Sequence, residues 1–145
     1  MSKLMLGVIL MALGFAARAE IVAICGPAKG HSYYPPKPPI PEDKVGWVED
    51  KVTNGNFQLI RSGSDWDIVF TDASGRTLSS RADGGQTVGL INDDGDVVVT
   101  VFYAGSFETW VFWLSSEKPS VSWSQARFAS LIPKHSLMVS SCHRP

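Results

Sequence analysis

The sequence predicts an all-β fold: a single small antiparallel barrel or sandwich of about 8 strands, with a proline-rich N-terminal arm, after a cleavable signal peptide. Three observations lead there. Turn residues recur about every 8–12 positions between short segments of alternating apolar and polar side chains. No segment sustains a helical period; the best local candidate, Ser124 to Leu131, is short and flanked by Pro133. Two cysteines lie far apart, at Cys25 and Cys142, an even count that reads as one disulfide in an exported chain.

Residues 1–19 form the signal peptide. Lys3 supplies a basic start, and Leu4 to Phe15 is apolar apart from small residues. Ala17-Arg18-Ala19 then places small side chains at the two positions a signal peptidase reads, so cleavage is expected before Glu20. The apolar run is about 12 residues, whereas a spanning helix needs roughly 20, so no stable membrane insertion is expected after cleavage. Bulky Ile24 ahead of Cys25 argues against a lipid-anchored cysteine.

Residues 20–44 comprise a first strand and the arm. Residues 20–25 are apolar enough for a short strand ending at Cys25. Gly26 to Ser32 has too little phosphate-loop spacing to be more than a loop. Five prolines then fall between Pro35 and Pro41. Proline has no amide donor and a fixed φ, so this stretch should stay out of the sheet interior and cross the surface as polyproline II.

Residues 45–145 form the antiparallel β domain. Trp66, Ile68 and Phe70 alternate with Asp65, Asp67 and Thr71, the pattern of a half-buried strand. Asp72 to Gly75 is a turn, Arg76 to Arg81 a return strand, and Asp83-Gly84-Gly85 another turn. Thr87 to Ile91 is a short strand closed by Asn92 to Asp96. Val97 to Tyr103 and Phe107 to Leu114 are apolar on both faces, which places them at the centre of the sheet. Val121 and Trp123 alternate with serines, and Leu137 to Val139 leads into Cys142. A Cys25–Cys142 bond would join the first strand to the last and stabilise the fold by roughly 4–5 kcal/mol.

The formal net charge is −1 at pH 7, and loss of Lys3 and Arg18 with the signal peptide makes the remainder more acidic. That excludes a general nucleic-acid binder and electrostatic docking to anionic lipid. Asn92 to Asp96 fails as a calcium loop, because Leu90 and Val101 would occupy its first and last ligand positions. His31, His135 and His143 are scattered, and no G-x-S-x-G elbow occurs. Asp65 and Asp67 share a strand face, opposite the apolar one, which assigns them to a wet outer surface. Glu108 shares parity with Trp110, Phe112 and Leu114, which makes it a paired core residue, a ligand contact or a solvated strand end; its place just after a turn favours the strand end.

Trp110 and Trp113 have opposite parity, so one is exposed or covered by a second layer. Tyr33 and Tyr34 adjoin the prolines, whose stiffness lowers the entropy lost on binding. His31, Tyr33, Tyr34 and Trp110 are therefore the candidate recognition surface. The competing reading makes the arm a lid on the core, with the tyrosines as plugs. The function expected is that of a periplasmic or secreted, non-catalytic binding or accessory module with a protein or glycan partner. The alternative is a small hydrolase acting on cell-envelope material. No catalytic residue, cofactor or metal ligand is assigned.

Overall fold

Segments of alternating polarity cannot bury their apolar side alone, and here they do so by curling one antiparallel sheet around itself. The computed structural model describes residues 18–72 and 74–145, so most of the expected signal peptide lies outside the described residues. Eleven strands follow in order: β1 Glu20–Cys25, β2 Ala28–Tyr34, β3 Gly46–Val52, β4 Asn56–Ser62, β5 Asp65–Thr71, β6 Thr77–Ser79, β7 Gln86–Ile91, β8 Val97–Phe102, β9 Ser106–Trp113, β10 Ser120–Arg127 and β11 Lys134–His143. No helix among the described residues is long and apolar enough to cross a membrane.

The strand order is β6-β5-β4-β1-β11-β10-β9-β8-β7, with β2 and β3 branching from β11. β7 through β11 form a meander. β11 is the hub: β10 covers one edge along its whole length, while the other edge pairs with β2 at Val139 to His135 and with β1 at His143 and Cys142. β1 and β2 thus run along one strand and diverge at Gly26-Pro27 into two branches of the sheet. The sequence reading placed the centre at β8 and β9, but β11 occupies it. The outer faces of β8 and β9 carry exposed Phe102, Phe107 and Trp113, which accounts for the two-sided apolarity.

The inner faces make the core. Ala23, Cys25, Phe57, Leu59, Trp66 and Ile68 come from β1, β4 and β5. They meet Val97, Val99, Val101, Trp110, Phe112, Val121 and Met138 from β8 to β11. Each fully buried large aliphatic or Phe side chain contributes roughly 1.5–3 kcal/mol. The sheet's two ends approach where β5 lies against β7, with the Gly89 backbone on the Trp66 ring; a Cβ there would collide with the indole. The result is a half-barrel, with a cavity of about 410 Å³ at either end. Cys25 and Cys142 are bonded and sit directly opposite each other on β1 and β11.

Two expectations for the arm change. Residues 28–34 are a strand paired on both sides, by β11 and by β3. Gly30 permits it, because a Cβ there would strike the Leu137 carbonyl oxygen. The prolines do not run as polyproline II. Amides of Lys37, Ile40 and Lys44 donate to Pro35, Lys37 and Pro41 carbonyls at 2.8–2.9 Å, folding the segment into successive turns that link β2 to β3. Prolines fit such a connection because turn carbonyls accept and the missing amides are not needed.

The expected hairpin turn after β7 is present. Gly95 adopts φ +89°, and the Asn92 carboxamide oxygen accepts the Asp96 amide at 2.8 Å. Asp96 in turn accepts the Ser115 amide at 2.8 Å, so these oxygens serve the turn.

Candidate functional site

Strand parity distributes the predicted recognition residues over different faces. His31 and Tyr33 lie on the outer face of β2, beside Leu137 and His135 of β11 and Glu49 and Trp47 of β3. Tyr33 packs its ring 5.5 Å from that of Trp47, which is 67% exposed. With Phe128, Pro35 and Pro133 these rings border a cleft of about 580 Å³. Tyr34 belongs to the opposite face, with the Lys134 ammonium 5.9 Å from its ring centroid. Both tyrosines are half-buried, neither plugs nor free side chains.

Trp110 does not join this surface. It is 2% exposed, because its position on β9 turns it inward with Phe112, and Trp113 is the outward residue at 47%. Asp65 and Asp67 stay on the rim side of β5. Asp65 meets the Arg81 guanidinium at 3.4 Å, and Asp67 accepts the Ile68 amide at 2.8 Å. The three histidines are exposed.

What the inward face of β9 builds instead is a cavity at one end of the half-barrel. The β9–β10 register sets Glu108 opposite Gln125 and Trp110 opposite Trp123. Trp110 and Trp123 stack at 4.8 Å with an interplanar angle of 9°. Phe57 of β4 comes from across the core to 5.0 Å from Trp110 and 5.7 Å from Trp123. Above this aromatic floor the cavity measures about 410 Å³ and is bordered by Phe70, Asp72, Asp83, Tyr103 and Arg127.

Glu108 is the polar centre. Its carboxylate accepts the Gln125 amide N–H on one oxygen and the Trp110 indole N–H, at 3.2 Å, on the other. The solvated strand-end reading is therefore overturned: Glu108 is a hydrogen-bonded group inside the barrel mouth. Burial pushes its pKa up, opposed by the Gln125 and Trp110 hydrogen bonds and by the Arg127 charge. Tyr103 is likewise pushed up by burial, with the Ser80 hydroxyl opposing and the Glu108, Asp83 and Asp67 carboxylates adding to the rise. Trp123 turns its buried Nε1–H toward the same carboxylate, where it helps hold the negative charge without completing a hydrogen bond of good geometry. A group that enters this space meets aromatic rings and the Glu108 carboxylate.

Asp72 is bound into its own turn. Ser74 is the main cause of its lowered pKa, ahead of the Arg76 amide. The signal that would have located the cavity was the shared parity of Glu108 with Trp110. Gln125 was obscured because it falls within the only stretch resembling a helix. No family model, curated protein or solved structure matches the chain.

Proposed function

We propose that the protein is a non-catalytic binding module of the periplasm or extracellular space, whose ligand occupies the aromatic cavity around Glu108 at one end of the half-barrel. The carrying observation is Glu108, held between Gln125 and Trp110 at the floor of a 410 Å³ aromatic cavity. A carboxylate taken out of water is costly unless it does something there. Mouths of β-barrels are common ligand sites, lined by apolar side chains with a few convergent polar groups. The signal-peptide pattern and the Cys25–Cys142 bond support the compartment.

A hydrolase is the second reading, favoured by the raised proton affinity of Glu108. Against it, both oxygens of Glu108 are engaged and Asp72 is committed to its turn. The test is a fragment screen read by ¹⁵N–¹H NMR on the protein from residue 20 onward. Hits should shift the Trp123 indole and Gln125 side-chain signals. Hits that cluster elsewhere, or none at all, overturn the proposal, as does release of soluble products from cell-envelope glycan that is lost in Glu108→Gln.

A further inference from the structure

We infer that the cavity takes a small organic cation with an oxygen close to its charge, the chemistry of an amino alcohol; this rests on the cavity being the ligand site. Three features converge on that class. The first is the wall of rings. Trp123, Phe70 and Tyr103 are partly exposed and border the space, while Phe57 and Trp110 lie beneath. Aromatic faces attract a cation through their quadrupole, most strongly where water is excluded.

The second feature is charge. Asp72, Asp83 and Glu108 face the cavity against one guanidinium, that of Arg127. They arrive from different elements: Asp72 follows β5, Asp83 precedes β7, Glu108 lies on β9 and Arg127 ends β10. An entering cation would interact favourably with Glu108 and offset the cost of holding that carboxylate away from water. An anion would meet the opposite field, and a purely apolar guest would leave Glu108 and Trp123 as they are.

The third feature is the Trp123 Nε1–H, buried and turned toward Glu108 without completing a hydrogen bond of good geometry. Unsatisfied buried donors are uncommon in native proteins. The atom is closed off by its neighbours, so an oxygen one or two bonds from the ligand's charge would reach it through a small movement of the ring while the cation lies over the aromatic wall. A simple alkylammonium lacks that oxygen, and a sugar lacks the charge.

The class divides into two sources, a choline-type headgroup and an amino sugar. Four probes separate the alternatives: choline, glucosamine, the neutral choline isostere 3,3-dimethylbutanol, and uncharged N-acetylglucosamine. Tryptophan fluorescence and calorimetry on the protein from residue 20 onward read the binding. The cationic member of one pair should bind roughly tenfold tighter than its neutral counterpart. Whichever pair shows this identifies the source. Asp83→Asn, on the exposed rim, should weaken the cation several-fold without changing the melting temperature, and Glu108→Gln should weaken it further. Equal or tighter binding of both neutral probes overturns the cationic class. Silence from all four probes, with fragment hits still mapping to Trp123, also overturns the class but leaves the cavity as a ligand site. Silence from probes and fragments together overturns both.

Discussion

Asp50 shows how a single polar residue is settled by its neighbours. It accepts from the Ser32 hydroxyl at 2.6 Å and meets the Lys134 ammonium at 2.9 Å; Ser32 also bonds Ser136 at 2.7 Å. The cluster ties β2, β3 and β11 together. Burial alone would raise the Asp50 pKa, but Ser32, Lys134 and the Lys51 amide together bring it below the ordinary 3.8. The folded carboxyl therefore holds its proton more weakly than the unfolded one. Its contribution is fully present above the ordinary value and is lost as pH falls through the lowered one. Asp50→Ala should cost about 1–3 kcal/mol at neutral pH, because Ser32 and Lys134 lose their acceptor. Urea denaturation at pH 7 and again near pH 2 checks this, and the gap to the natural protein should close in acid. Glu108 acts in the opposite sense, since its raised pKa means that ionisation weakens the fold as pH rises. Trp47 is the contrasting residue: it is 67% exposed, so Trp47→Ser should change stability by no more than about 0.5–1 kcal/mol. A much larger loss in a thermal melt would mean that the ring supports the proline connection.

At the scale of the element, β2 is the instructive case. Its residues, Ala28-Lys29-Gly30-His31-Ser32-Tyr33-Tyr34, carry little apolar alternation and are flanked by proline on both sides. Nothing local specifies a strand; pairing with β11 and β3 does, which is how tertiary context overrides weak β propensity. Gly30→Ala should consequently destabilise the protein by about 1–3 kcal/mol or more, because the obstacle is the Leu137 carbonyl, which cannot swing aside. Loss of amide-exchange protection should centre on β2 and the facing half of β11. Unchanged protection there would show that the backbones can separate. Elements with strong alternation were legible beforehand. β5 falls on its expected bounds because its side chains alternate between core and surface, whereas β7, β8 and β9 fall within a residue or two of theirs because turn residues bracket apolar, β-branched runs. β10 was seen only at Val121 and Trp123; its continuation through Ser124, Gln125 and Ala126 has no apolar pattern, because Gln125 points at Glu108 rather than into a greasy interior. The cavity was illegible for the same reason. Its chemistry depends on cross-strand register, which no single segment records.

For the whole molecule, the bond between Cys25 and Cys142 spans a sequence separation of 117. Restricting so long a loop in the unfolded chain stabilises the fold by roughly 4–5 kcal/mol in the chain-entropy account. The Cys25→Ser, Cys142→Ser double variant should lose most of that in a denaturant titration; a loss under about 1 kcal/mol would show that strand pairing alone constrains the unfolded ends. The pairing itself is extensive, since β11 has partners on both edges. A chain truncated before Lys134 should therefore lose its near-ultraviolet circular dichroism, with β1, β2 and β10 all deprived of a neighbour. Retention of a native spectrum would mean that the strands close up without it. The position of β11 also has a consequence in time. Synthesis delivers β1 first and β11 last of the described strands, yet β11 lies between them and the meander. The early strands can pair among themselves, β1 with β4, β2 with β3 and β4 with β5, but β1 and β2 each lack one edge partner until β11 is made, and contacts of long sequence separation form late. A chain built this way can join its two halves into one sheet only when nearly all of it exists, so its last strand works as a keystone.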